Sequence, residues 1–166
     1  MYSPSRPAVF AAGALLALAV VPASSAVASG GDRGEHREGG HHGLLLKSSL
    51  AGSLTSDKAV FGASPGGLDW VLDEGTARVD RAGHLEVEVE GLIIPALGNN
   101  PVKLLSASLA CNGAVVATTA TVPFSMAGDV EIEAMVKVPA RCIAPVVMLN
   151  PGGNPLVFIA ISGQEA

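Results

Sequence analysis

At 166 residues, with 49% hydrophobic, 15% charged and only 4% aromatic side chains, the chain has the length of one domain and the makings of an aliphatic core. Twenty Gly and eleven Pro alongside so few charges exclude a coiled coil, a long acidic or basic arm and a wholly disordered chain. Ten Lys plus Arg against fifteen Asp plus Glu give a net charge of -5, the wrong sign for gripping phosphate backbones by counterion release, so nucleic acid is not an expected partner.

Residues 1–28 read as a secretory signal peptide. Arg6 supplies the positive start, Ala8 to Val21 is an uncharged apolar run, and Ala26-Val27-Ala28 is a small-x-small cleavage site, with Ser24-Ser25-Ala26 as its competitor. The apolar run falls short of the ~20 residues that a helix needs to cross hydrocarbon, so no transmembrane anchor is expected. No Cys lies near either cleavage site and no twin Arg precedes the run, which argues against lipid attachment and twin-arginine export. The mature chain is therefore expected outside the cytoplasm, with Phe61, Trp70, Phe124 and Phe158 as its aromatic residues. So few aromatics argue against a surface built to grip sugars or proline-rich peptides by stacking.

Residues 29–43, SGGDRGEHREGGHHG, contain no large apolar side chain and cannot bury enough surface to offset ordering, so a disordered Gly/His-rich tail is expected. His36, His41 and His42 within it are candidate ligands for Cu or Ni, because imidazole suits those ions and a flexible segment can wrap one. The competing reading is a solubilising spacer without the fixed geometry that a specific site requires.

From residue 44 to the C-terminus, short apolar runs alternate with Gly, Pro, Asn and Asp clusters, and no 3.6-residue period appears. Leu44 to Gly52 reads as a strand. Thr76 to Asp80 is expected to pair with His84 to Gly91 through Arg81-Ala82-Gly83, the second strand setting Leu85, Val87 and Val89 on one face and Glu86, Glu88 and Glu90 on the other. Asn112-Gly113, between Lys103–Cys111 and Ala114–Val122, signals a two-residue hairpin, because both residues tolerate positive φ. Val130 to Val138 alternates again, and Ile143–Asn150 and Leu156–Ser162 complete the set, the last too continuously apolar to have a wet face. The expected fold is an all-β antiparallel two-sheet sandwich of seven to eight strands, immunoglobulin-like or Greek key, with a partly open barrel as the main competitor.

Cys111 and Cys142 are the only cysteines, and in an exported chain an even pair reads as a disulfide. The segments GGLDW (Gly66 to Trp70), HLEVEVEGLIIP (His84 to Pro95), SASLACNG (Ser106 to Gly113), TVPFS (Thr121 to Ser125) and APVVMLNP (Ala144 to Pro151) together resemble uncharacterised secreted β-sandwich proteins of high-GC Gram-positive bacteria. Gly75 to Val79 followed by Leu85 to Leu92 also resembles the repeat of CHRD-type extracellular domains. These resemblances imply an extracellular β fold and carry no activity.

Several residues bear on chemistry. The Glu86, Glu88, Glu90 row and the Glu131, Glu133 pair offer oxygen ligands for Ca²⁺, or paired carboxylates for hydrolysis if ~5 to 9.5 Å apart. Alternating charge is equally what a one-sided sheet shows, with Arg78, Lys103 and Lys137 as available neighbours. His84 is the only His of the expected domain, and Ser106, Ser108 and Ser125 have no Gly-x-Ser-x-Gly elbow around them. Phosphate-cradling Gly loops are absent, so no cofactor is indicated. Trp70, in a Gly-rich then acidic connection, is either a core plug between sheets or a ligand-stacking platform. By subtraction, the expected function is a secreted non-enzymatic binding module associated with the cell envelope or an extracellular component. The alternative is an extracellular hydrolase or metal-handling protein with a site built from loops 61–75 and 97–103.

Overall fold

A computed structural model describes residues 43–163. The expected signal peptide and tail, with His36, His41 and His42, lie outside the described residues. Among those described there is no helix, and eleven strands follow in chain order: β1 Leu44–Gly52, β2 Ser64–Pro65, β3 Glu74–Asp80, β4 His84–Glu90, β5 Leu104–Cys111, β6 Ala114–Thr118, β7 Val122–Pro123, β8 Val130–Met135, β9 Val146–Pro151, β10 Val157–Phe158 and β11 Ala160–Ser162.

The two hairpins that the sequence predicts form as expected. β3 pairs with β4 from Glu74↔Glu90 to Val79↔Leu85, and the alternation along β4 puts Leu85, Val87 and Val89 inside. Asn112 and Gly113 take φ of 57° and 84°, and that double left-handed turn matches the twist of the strands it joins. Cys111 and Cys142 form the disulfide, with Cα atoms 5.0 Å apart.

Hydrogen bonding runs along one path, β6-β5-β9-β11-β1-β3-β4-β8, with β7 also on β5. β1 joins its two halves: residues from Leu44 to Ser49 pair with β3, and Leu50–Gly52 turn to pair with β11. The half formed by β1, β3, β4 and β8 curls into a half-barrel. One aliphatic core contains side chains from both halves, among them Val79, Leu85 and Ile132 from one and Leu105, Leu109 and Leu149 from the other.

Three expected strands are shorter or broken, each for a local reason. The apolar run 156–162 splits into β10 and β11 because its neighbours serve two cores: Ile159 and Ala160 enter the main one, whereas Phe158 packs with Ala63, Ala110 and Met148 in a second. The second strand of the Asn112-Gly113 hairpin ends at Thr118, after which Thr119 bonds Ala107 through both its N–H and its hydroxyl and releases the chain to return as β7. β8 ends at Met135, where the Val136 N–H donates to the Gly83 carbonyl at the facing hairpin turn.

The second core covers the outer face of β5 and β9. This explains why β5 is buried at every residue after Leu104 and why Ser106, Ser108 and Ala110, all small, occupy that face: the segment 60–65 and β10 have to lie close over it.

Candidate functional site

Trp70 is only 4% exposed and belongs to the main core. Its backbone N–H donates to the Ser53 carbonyl at 2.8 Å, while Val71 and Ile93 exchange two backbone hydrogen bonds. Asp69 completes the fastening, accepting from the Thr55 N–H at 2.7 Å and its hydroxyl at 2.8 Å. These bonds lower the Asp69 pKa below its ordinary 3.8, the backbone bond first and the hydroxyl bond second, against a small opposing effect of desolvation. A carboxylate with a depressed folded-state pKa contributes stability that is present above its unfolded value and is lost as pH falls through the folded value. Acid titration of Trp70 emission is therefore expected to stay flat through pH 3.8 and to change below it. In Asp69→Asn that low-pH step should disappear; an unchanged step would show that Asp69 does not hold this clasp.

An open groove of about 310 Å³ lies over the indole, with Gly66, Gly67, Leu68, Ile94 and Val157 among its walls. All its lining residues are apolar, glycines included. Gly66 keeps the groove open: a Cβ there would stand 2.9 Å from Trp70 Nε1 and 3.2 Å from Ile159 Cγ2, closer than ordinary contact allows. Leu68 on the wall is 47% exposed, and Leu156, next to the lining residue Val157, is 64% exposed. Large aliphatic side chains held in water at the mouth of an apolar hollow are a feature of binding surfaces.

The expected acidic rows also meet. Glu86 stands opposite Glu133 and Glu88 opposite Glu131 in the β4–β8 ladder, while Glu74 faces Glu90 across β3–β4. Directly opposed like charges destabilise a sheet, so this face carries a local cost. Arg78 lies opposite Glu86, as the sequence suggested, with Lys47 beyond it on β1. Lys103 and Lys137 fall outside the strands and face none of these carboxylates in register. A wide hollow of about 570 Å³ beside β4 and β8 is lined by Glu88, Glu90, Asp129 and Glu131. Among the described residues, however, no three or more His, Cys, Asp or Glu side chains are grouped to hold a metal ion.

The serines and His84 are not brought together. Ser106 is fully buried and its hydroxyl has no partner; Ser108 bonds Asn150 and Thr118; the Ser125 hydroxyl accepts from the Asp129 N–H. His84 opposes Met135 in the other half of the strand path from Ser106 and Ser108. The sequence singled out Trp70 and the loops 61–75 and 97–103, which supply Gly66, Gly67, Leu68, Trp70 and Val102 to the groove, though not the apolar character of its walls. Ile94, Pro151, Val157 and Ile159 reach it from other parts of the chain, and no local signal marked them. No described helix is long and apolar enough to cross a membrane. Compared with known proteins, the chain matches no family model, no curated protein and no solved structure.

Proposed function

We propose that the chain is a secreted, non-enzymatic β module that binds an apolar ligand, or an apolar segment of an envelope or extracellular partner, in the Trp70 groove. The observation that carries this reading is the groove itself: walls without a titratable group, the buried Trp70 among its lining residues and exposed Leu68 at its side. Such walls offer burial of apolar surface, worth ~25 cal/mol per Å², and no acid, base or nucleophile. The separation of His84 from the buried serines agrees with a binding role. The disulfide supports an oxidising location. A two-layer sandwich is the architecture we attach to this reading, supported by the core that contains side chains from both halves of the strand path.

Titration with the apolar dye 1-anilinonaphthalene-8-sulfonate tests it. Saturable binding with a dissociation constant on the order of 10 µM is expected, with Trp70 emission quenched at the same midpoint. Leu68→Gln should weaken binding about tenfold, a loss of ~1.4 kcal/mol, without changing the melting temperature. Gly66→Val, which fills the groove, should weaken it at least as much. Identical binding curves for the native chain and both variants would sink the proposal.

A further inference from the structure

An asparagine side chain can react with its own backbone. The nitrogen of the following residue attacks Cγ, ammonia leaves, and water opens the resulting succinimide to aspartate or isoaspartate. The reaction needs an N–H on that following residue and little bulk around it. Of the five asparagines in the sequence, Asn100, Asn150 and Asn154 precede prolines and lack the N–H, and Asn99 precedes the bulkier, buried Asn100. Asn112 precedes Gly113, so this chemistry is concentrated at the turn between β5 and β6. Both turn residues are exposed, and among the described residues a Cβ at Gly113 would meet nothing within 4 Å.

The fold holds that reaction back. Asn112 Nδ2 donates to the Arg141 carbonyl, Oδ1 accepts from the Ile143 N–H, and the Asn112 N–H donates to the Ile143 carbonyl, each at 2.9 Å. Ring closure swings Cγ onto the Gly113 nitrogen and expels Nδ2, so both side-chain bonds must break first. Those two bonds are exposed to water and individually weak. Covalent support comes from Cys142, which lies between Arg141 and Ile143 and is bridged to Cys111, the residue before Asn112. With the bridge closed, a strip 141–143 that lets go of Asn112 stays within reach and rebinds. With it open, the strip has lost its tether, and the opened state from which Asn112 reacts becomes more populated.

We propose that Asn112 is a modification site gated by the Cys111–Cys142 bridge: reduction by a dithiol frees Asn112 to deamidate, and the product keeps a record that the bridge was opened. In the first step the dithiol gives two electrons and two protons to the bridge, which becomes two thiols, and is itself oxidised to a disulfide. In the second, the bond from the Gly113 nitrogen to Asn112 Cγ forms, the Cγ–Nδ2 bond breaks, and the Gly113 proton departs with the ammonia. Water then cleaves one ring C–N bond, giving aspartate when Cγ is released and isoaspartate when the main-chain carbonyl carbon is released. A carboxylate at this position has no proton to donate to the Arg141 carbonyl. Isoaspartate also adds a carbon to the backbone of a two-residue turn. Reoxidation of the thiols therefore does not restore the clamp.

Peptide mass spectrometry of the purified protein, aged in mildly alkaline buffer, tests this by following Asn112 with the bridge intact and after reduction by dithiothreitol. Deamidation at Asn112 is expected to be at least tenfold faster in the reduced chain. Trp70 emission shows whether the reduced chain keeps its fold, and Asn99, outside the clamp, should not accelerate. Reciprocity supplies a second measurement that does not require a folded reduced chain: if the bridge steadies the clamp, the clamp steadies the bridge. Asn112→Asp, which tolerates the positive φ of the turn but cannot donate to Arg141, should lower severalfold the dithiothreitol concentration that reduces half the bridges. Where reduction abolishes native Trp70 emission, this variant decides. An intact chain that deamidates at Asn112 as fast as the reduced one, or an Asn112→Asp bridge as resistant to reduction as the native one, would overturn the proposal.

Discussion

Replacing Cys111 and Cys142 together by Ser is expected to lower the unfolding free energy by about 4 kcal/mol, on the chain-entropy reckoning for a cross-link spanning 31 residues. That is a large share of the ~5 to 15 kcal/mol that stabilises a domain of this size. The loss falls on a defined place, because the bridge fastens the β5–β6 hairpin turn to the connection between β8 and β9. Without it, the stretch from Arg141 to Ile143 is left to the three Asn112 hydrogen bonds, and the side-chain bonds among them are exposed to water. Cys111 is itself 1% exposed in the main core, so the hydroxyl that replaces its sulfur adds a desolvation cost. Urea unfolding of the variant, or of the native protein with and without reductant, measures the change, and the melting temperature should fall by about 10 °C or more. Coincident unfolding curves would show that the bridge contributes nothing to stability.

The second large loss is expected at Asn150, which sits fully buried on the outer face of β9. Its Oδ1 accepts from the Ser108 hydroxyl at 2.6 Å and its amide donates to the Val157 carbonyl at 2.8 Å, so one side chain ties β5, β9 and β10 together. Asn150→Leu keeps the branching of the side chain, adds volume at a fully buried position and removes both hydrogen bonds. Leaving buried polar groups short costs about 1 to 3 kcal/mol each, and we expect roughly 3 kcal/mol in total because Ser108 retains Thr118. Ser108→Ala combined with Asn150→Leu should then cost less than the two single changes added together, with a coupling of about 1 kcal/mol in a double-mutant cycle of denaturant unfolding. Strict additivity would show that the two side chains do not act as a unit.

What the sequence disclosed was local. Leu85, Val87 and Val89 alternate with glutamates, and the two-residue period alone assigns their faces. Asn112-Gly113 carries its turn in its own backbone preferences, and two cysteines admit one pairing. What it hid depends on residues far apart in the chain. Nothing near Leu50 indicates that β1 changes partner there, because that is decided by Ala160–Ser162. The run from Leu156 to Ile161 has no polar residue to mark the break at Ile159, since both cores it enters are apolar. The extra layer over β5 was foreshadowed by Ser106, Ser108 and Ala110, small residues on what a one-sided sheet would leave wet. The groove was legible only in part: its loops 61–75 and 97–103 drew notice, but Ile94, Pro151, Val157 and Ile159 are assembled only by the fold.

The union of Leu50–Gly52 with Ala160–Ser162 joins the beginning of the described chain to its end. A polypeptide delivered N-terminus first, from a ribosome or through a translocation pore, emerges with β1 seeking a neighbour not yet delivered. The β3–β4 and β5–β6 hairpins and the sulfur bridge can all form while the last strand is still in transit, but the seam between the halves closes only on completion. Such closure joins residues at the greatest separation and is the slow step of assembly. Until then the aliphatic interior stands open, and a chain truncated before Ala160 would stay in that state.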